Sequence, residues 1–563
     1  MGAVQEAGVD PSNPWQPPRW VVAAILLLSV TLVWFSPFDH PLYPPDEGRY
    51  GAVAANMVES GDWTVPTFRG EPHLTKPPLT YWLQAVGVAI VGRDEIAVRV
   101  PALLASSVVV LLLYGFVRRE RGSATGLCAA ALYAVLPEAL IVGRMGSTDA
   151  ILNLFWVIGL GSGYRAIQSR SLAAAMTFWA ATALAGLAKG PLAAGPFVTL
   201  LTWLVLAGRW RAIFHLRPLV GIPLSLVPLG AWLAAVGLRD PQIFGIWVQE
   251  TIGRASGSLG KRDVWWFYIP LFFVGFFPAT AMMVLPTFNL SYRDLWRRLR
   301  NGSLETLAVL AVLLPLIGFS ISKGKLPTYL LPLSAPMAFL VGSNVASWLS
   351  GRFDAIEASG HAEDGTRFRP PDVRWTLLIS FLVAAIAIGL GPWLFGPHMP
   401  AVPVEAWDAR VYLVLPLAGA IGLVVAWRSI VWRRRAFVVM WLCVVGLWAA
   451  CFELEDDVNV PQSGRHVAQA IRDLGGRQIA WIGKPDQTMR FYLSDEVKDL
   501  GDLPSEEAIE AALAQVPLVV VDQRAWDGLV ARGSGAVGRL EPVGTHQLFF
   551  NRSVIVCRVR SAA

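Results

Sequence analysis

The run LTYWLQAVGVAIV, Leu79–Val91, is apolar throughout yet only about a dozen residues long. A helical crossing of a bilayer takes about 20 apolar residues, so this run reads as an interfacial or re-entrant helix and not as a span. The choice matters because one crossing more or less exchanges the two sides of every later loop. Charge tests it, since cytoplasmic loops are richer in Lys and Arg. With Leu79–Val91 uncrossed and the amino terminus inside, the inside loops carry Arg118, Arg119 and Arg121, then Arg165 and Arg170, Arg209, Arg211 and Arg217, Arg293 to Arg300, Arg352 to Arg374, and Arg428 to Arg435. The opposite loops hold fewer cations, chiefly Arg144, Lys189, Arg254, Lys261, Arg262, Lys323 and Lys325. Counting the short run as a crossing inverts this pattern.

The rest of the chain supplies the spans that this topology needs. Of its 563 residues 54% are hydrophobic and 16% charged, against about 25% charged in soluble domains, which marks a polytopic membrane protein. Apolar runs at 20–36, 97–117, 124–142, 150–167, 173–188, 190–207, 219–237, 265–286, 305–321, 326–348, 376–395, 411–427 and 436–453 predict about thirteen crossings. The first run has no small-residue cleavage site after it and is expected to stay as an anchor. The net charge of +6 is scattered among short loops, which argues against a nucleic-acid partner and for orientation in membrane lipid. Cys128, Cys443, Cys451 and Cys557 show no CxxC spacing, so neither a thiolate metal site nor a disulfide framework is indicated.

From about Asp456 the composition becomes that of a soluble α/β unit, dividing the chain into a membrane domain, 1–455, and a carboxyl-terminal domain, 456–563. Gln478–Ile482 and Pro517–Val521 read as buried strands, Ser553–Val559 as a closing strand, and Arg465–Leu474 and Ser505–Gln515 as helices. The unit has no nucleotide loop. Shaping an acceptor entrance and plain structural support both remain open for it.

The topology puts the 37–95 loop, the Arg144–Asp149 turn, the 238–263 loop, the Ser322–Lys325 turn and the carboxyl-terminal domain on one outer side, away from cytosolic nucleotide sugars. The first of these holds PPDEGRY (Pro44–Tyr50) and TKPPLTYW (Thr75–Trp82). Two prolines restrict the backbone before Asp46 and Glu47, and Arg49 and Tyr50 follow at once. Fixed carboxylates suit general-base work or stabilisation of developing positive charge on a sugar, whereas an acidic pair is also an ordinary solvated loop feature. Lys76 opens the short helix, where it either snorkels to the surface or neutralises a phosphate near the helix amino end. Asp149 begins a span as a cap or as a substrate contact. Lys189, Lys323 and Lys325 add cations at the same face, enough together for an anionic lipid headgroup, though each alone also reads as a helix-end snorkel. Arg254 in the 238–263 loop either reaches a phosphate bidentately or belongs to a flexible surface loop.

At these residues the chain resembles the lipid-linked sugar transferases of the GT-C type, most closely the branch that transfers aminoarabinose to lipid A, within the larger group that includes protein O-mannosyltransferases. The resemblance runs from about Trp34 to Pro336, on PPDEGRYGAVAANMVESGDW, KPPLTYWL, STDA, AKGPLA, WWFYIP and SKGKLPTYLLP in that order. It implies a membrane fold of about thirteen helices with interfacial helices in the first outer loop and a periplasmic carboxyl-terminal domain. It further implies Asp46 as the principal catalytic carboxylate with Glu47 and Arg49 completing the motif. Lys76 looks like the lysine that holds the lipid phosphate, and Asp149, Tyr329 and Arg254 look like cavity lining. The donor implied is a sugar on polyprenyl phosphate, undecaprenyl phosphate in bacteria. The branch usually has Glu before the lysine and His after the loop Glu, resembling a metal pair. Here these are Thr75 and Thr251, so no metal and no cofactor are expected.

These readings converge on an inner-membrane glycosyltransferase acting at the periplasmic face on lipid A or a related glycolipid. Asp46 and Glu47 are its catalytic candidates. Arg49, Tyr50, Lys76, Asp149, Arg254, Lys323 and Tyr329 are its substrate-binding candidates. Transfer to a protein hydroxyl, and a lipid carrier without chemistry, are the rival readings.

Overall fold

The computed structural model describes residues 15–35, 40–253, 264–277, 279–280, 300–352, 430–459, 463–476, 478–484, 486–493, 497–502, 504–548 and 552–560. The membrane part is helical. Helix α1 (Arg19–Val33) precedes α2 (Asp46–Ser60), a short hairpin of β1 (Thr67–Phe68) and β2 (Glu71–Pro72), and α3 (Leu79–Val91). Then come α4 (Glu95–Arg121), α5 (Ser123–Val135), α6 (Pro137–Val142), α7 (Thr148–Ser169), α8 (Leu172–Lys189), α9 (Gly195–Leu206), α10 (Pro218–Gly237) and α11 (Ile243–Val248). Helices α12 (Tyr268–Gly275), α13 (Leu304–Ile321), α14 (Ser334–Leu349) and α15 (Ile430–Asn459) complete the described bundle. The expected crossings at 376–395 and 411–427 lie outside the described residues, as do 278 and 281–286 of the one expected at 265–286.

Among the described residues seven helical segments are long and apolar enough to cross a membrane. One of them, Leu172–Leu206, runs to 35 residues and folds back on itself. Packing shows the reversal: Asp149 at the start of α7 meets Lys189 at the end of α8, whereas Gly159 and Gly163 of α7 lie beside Pro196 and Leu200 of α9. Helix α8 is therefore antiparallel to α7 and α9 parallel to it, with the turn at Gly190–Ala194. The expected span 124–142 is in turn broken into α5 and α6. Pro137 offers no N–H and holds Leu136 extended (φ −64°, ψ 128°), which ends one helix and starts another.

Helix α5, rich in alanine, lies between α4 and α14, with Cys128, Ala129, Ala130 and Ala131 wholly buried. Small residues let backbones approach where lipid provides no hydrophobic drive between helices. Outward sides stay apolar, as with Leu104, Val108 and Leu111 of α4 and Leu219, Leu224 and Leu226 of α10. The bundle has two chemically distinct ends. At one, Arg121 bonds Glu305 (2.7 Å), Arg433 and Arg434 donate to the carbonyls of Trp348 and Leu349, and Arg434 lies over Trp15. At the other lie the amino ends of α2, α3, α4 and α7, the Lys189 turn and the Ser322–Lys325 turn.

The carboxyl-terminal part caps this second end. Its sheet contains β3 (Ile479–Ile482), β4 (Val497–Asp499), β5 (Leu518–Asp522), β6 (Leu540–Leu548) and β7 (Arg552–Val559) in the order β4-β3-β5-β7-β6. Strand β3 is parallel to β4 and β5, and β7 is antiparallel to β5 and β6. Alternation sorts the strands' side chains: Leu518 and Val520 face α16 (Gly464–Asp473) and α17 (Gln487–Leu493), while Val519 and Val521 face α18 (Glu506–Leu513) and α19 (Gln523–Ala531). The first core is shared with the membrane part, because Leu42, Ala52 and Val98 belong to it. Helix α2 lies so close to α17 that a Cβ on Gly48 would sit 2.5 Å from Thr488 Cα.

Candidate active site

Two prolines bring the chain to Asp46, where α2 begins, with both acids in its first turn as its dipole favours. Neighbouring residues on a helix point about 100° apart, so one helix start cannot aim both carboxylates at the same place. Glu47 turns inward and is fully buried. Its Oε1 accepts from Arg99 Nε (3.1 Å) and Gly146 N (2.6 Å), and its Oε2 from Arg99 Nη2 (2.8 Å) and Tyr43 N (2.8 Å). Arg99, 4% exposed, also donates to the carbonyls of His40 (2.6 Å) and Pro41 (2.8 Å). This pair ties α2, α4, the 40–43 loop and the turn before α7 together. A carboxylate offers about four lone-pair sites, and here four donors occupy them. Glu47, set by the sequence reading beside Asp46 as a catalytic carboxylate, is thus placed by the structure in a buried ion pair with Arg99.

Asp46 turns outward and pairs with Arg49 one turn later. The Arg49 guanidinium lies over the Tyr50 ring, which meets the Tyr81 ring edge-on at 5.5 Å. Burial, with Asp46 and Tyr81 nearby, holds the Tyr50 hydroxyl well above its ordinary pKa, so it stays a proton donor. Burial does the same to Tyr81, whose hydroxyl has no hydrogen-bond partner among the described residues. Beside them His73 is pushed down to about 4, by burial first and then by Arg49 and Lys76, which keeps its ring neutral. The Thr75 hydroxyl bonds that ring at 3.2 Å.

Lys76 lies just ahead of α3 and bridges Glu250 at 3.1 Å. Tryptophans pin its loop: Trp247 Nε1 donates to Leu74 O, Trp232 Nε1 to Thr64 O and Trp82 Nε1 to Trp63 O. Lys189 pairs with Asp149, both nearly buried, and its ammonium lies 4.7 Å from the centre of the Tyr329 ring. Lys76, Lys189, Glu250, Tyr329, Trp247 and Ser322 line one cavity of about 470 Å³ that continues between α9 and α13 along apolar side chains. Asp46 does not line this cavity; its charge acts on Tyr81 together with that of Glu250, and on Tyr50 together with that of Asp149. Lys323 is not brought in. It is exposed while its neighbours Ser322 and Gly324 line the cavity, and the buried Lys325 donates to Ser322 O. Arg254 lies outside the described residues.

Sequence reasoning passed over Arg99 and gave Lys189 and Glu250 only supporting parts. A signal for Arg99 was present in GRDEIAVRVP, an arginine one turn inside an apolar helix, where an ionisable group needs a partner. Tyr492 carried no such signal. Its hydroxyl accepts from Leu42 N (3.0 Å) and donates to Glu95 (2.8 Å), clamping the loop ahead of Asp46 from helix α17 of the carboxyl-terminal part.

A family profile described as dolichyl-phosphate-mannose-protein mannosyltransferase matches residues 75–234. The chain is 32% identical over 420 residues, 69% of its own length and 73% of its relative's, to a Pseudomonas aeruginosa (strain LESB58) protein named undecaprenyl phosphate-alpha-4-amino-4-deoxy-L-arabinose arabinosyl transferase. A Pseudomonas fluorescens (strain Pf0-1) protein of the same name, numbered 1, is 33% identical over 348 residues, covering 60% of each chain. The crystal structure of ArnT from Cupriavidus metallidurans bound to undecaprenyl phosphate shares the fold, with a TM-score of 0.75 at 20% identity over 96% of this chain and 98% of that one.

Proposed function

The chain belongs to the undecaprenyl phosphate-aminoarabinose arabinosyl transferase family, and from that premise we propose that it moves a sugar from a polyprenyl-phosphate donor to lipid A or a related glycolipid. The observation that carries this reading is the cavity that Lys76, Lys189 and Tyr329 line together, with an apolar extension between α9 and α13. Two cations in a cavity that runs on along apolar side chains suit a phosphate on a long apolar tail. Each is held by an internal carboxylate, Glu250 or Asp149, which stands in for the phosphate until it arrives.

Transfer breaks the bond between the sugar's anomeric carbon and the donor phosphate oxygen and forms one to an acceptor oxygen. Charge builds up on the departing phosphate, and Lys76 and Lys189 stabilise it there. Asp46 orients the acceptor hydroxyl and takes its proton. Where the acceptor is an ionised phosphate no proton moves, and Asp46 instead stabilises the oxocarbenium-like sugar. Glu47 acts through Arg99 by fixing the start of α2. The cavity end faces the periplasm and the arginine-rich end the cytosol of an inner membrane, in accordance with the charge bias of the loops.

Labelled undecaprenyl-phosphate aminoarabinose, purified protein and lipid A test this. Labelled lipid A is the expected product, with the label lost from it in Asp46→Asn. Label in glycopeptide, or transbilayer movement without transfer, would overturn it.

A further inference from the structure

A second cavity, of about 590 Å³, lies between the Pro44–Pro45 corner and the carboxyl-terminal sheet, and shares no lining residue with the first. Its membrane-side wall is Pro44, Pro45 and Arg69, so a molecule inside it touches the residue directly before Asp46. Its opposite wall is the carboxyl end of the parallel strands: Gly483 and Lys484 after β3, Asp499 to Asp502 after β4, and Gln487 at the start of α17. Strand β3 lies between β4 and β5, so the chain leaves it to one side and returns on the other. In open α/β sheets, such a switch point is where ligands bind. Gly483 (φ +113°) makes the turn at this edge and packs on the end of β5, where a Cβ would lie 2.4 Å from Asp522 Cβ.

Charge defines what fits. Arg69 pairs with Asp499 (3.3 Å), Lys484 with Asp502 (3.9 Å) and Arg552 with Asp522 (2.7 Å). Asp486 accepts from Thr488 N (2.7 Å) and its hydroxyl (2.6 Å). The cations are balanced, so the site has no excess positive charge to offer a phosphate. It does place donors (Arg69, Lys484, Arg552) beside acceptors (Asp486, Asp499, Asp502), and Gln487 in its lining carries an Oε1 with no hydrogen-bond partner among the described residues. Donors and acceptors side by side in a crevice that also has apolar walls match a sugar ring, whose hydroxyls both donate and accept and whose C–H faces are apolar.

We propose that this crevice is a saccharide subsite for the acceptor, receiving the sugar ring next to the oxygen that is modified. It rests on the glycolipid-acceptor reading above and extends it, giving the carboxyl-terminal domain a share in acceptor selection. Donor and acceptor then approach Asp46 from different cavities, as a transfer between two bulky lipids requires.

Two measurements on the full chain in detergent test it. The first is binding of a soluble glucosamine disaccharide without donor, followed by saturation-transfer NMR. The second is the steady-state kinetics of transfer to lipid A. The variants are Lys484→Ala, whose side chain is largely exposed, and Gln487→Ala, with the unfolding midpoint as a control. Each is expected to weaken disaccharide binding and raise the lipid A KM about tenfold, with kcat and the donor KM within about twofold of wild type. Transfer with an unchanged lipid A KM in both variants, or a raised donor KM instead, overturns the subsite while leaving the transferase standing. Disaccharide binding that depends on these residues in a protein unable to modify lipid A supports the subsite and overturns the acceptor. Absence of binding by the unmodified chain also overturns the subsite.

Discussion

Replacing each acid of the Asp46–Glu47 pair by its amide is expected to produce two different proteins. Glu47→Gln removes the charge facing Arg99 at a site where the two side chains are 0% and 4% exposed. Breaking one half of a buried ion pair costs about 3–5 kcal/mol, because the remaining charge is left in a low-dielectric interior without its partner. The amide also turns a donor toward Gly146 N–H or Tyr43 N–H, both of which need an acceptor. The thermal midpoint of purified Glu47→Gln should therefore fall by roughly 5 °C or more. Asp46→Asn breaks a pair whose side chains are 35% and 26% exposed, worth no more than about 1 kcal/mol. Its midpoint should stay near wild type while transfer falls about 100- to 10,000-fold, the range for removing a general base. The assays are fluorescence-detected unfolding in detergent and transfer from labelled donor, run on the same preparations. A Glu47→Gln protein that melts like wild type yet is inactive, or an Asp46→Asn protein that is as unstable as predicted for Glu47→Gln, would refute the division of roles.

Lys76→Ala should weaken binding of undecaprenyl phosphate roughly 10- to 100-fold with the midpoint little changed, and unaltered binding in a lipid-depletion titration would remove Lys76 from the donor site. Tyr492→Phe strands Leu42 N–H and frees one Glu95 bond at a cost of about 1–3 kcal/mol. It should slow transfer without changing donor affinity, and wild-type kcat would show that the clamp does not position Asp46. Burial, then Arg99, pushes the His40 ring down to about 4. Below pH 6.5 the unfolded chain takes up a proton that the native state refuses, so stability is full above 6.5 and is lost as pH falls toward 4, by about 3 kcal/mol for this residue. His73 adds to the same slope. In denaturant titrations at pH 7.5 and 5, His40→Asn should show the smaller difference, and equal slopes would count against this assignment.

Much of the site could be read along the chain because lipid is a demanding solvent. Apolar runs of limited length and arginine-rich loops are local properties, and they assign each loop to one end of the bundle without any contact being known. Hence Asp46, Lys76, Asp149 and Tyr329 were placed at one end by sequence, and the structure gathers them there with Lys189. The break at Pro137 was equally local, yet hydropathy alone joined α5 to α6, since an extended residue costs nothing in apolarity. In the carboxyl-terminal part the buried runs of β3 and β5 were legible as strands. Strand β6 was not, because its outer face alternates with exposed polar residues and its pairing comes from β7.

Pairing across the fold was beyond the sequence. Two adjacent carboxylates look alike in the string PPDEGRY, and only the helix beginning at Asp46 turns one to the open side and the other onto Arg99, 52 residues away. Tyr492 reaches Leu42 across 450 residues. Residue type and local periodicity therefore settle which groups share an end of the membrane. Burial and long-range hydrogen bonding, which depend on what the rest of the chain brings alongside, decide which of those groups is free to act and which is held as scaffold.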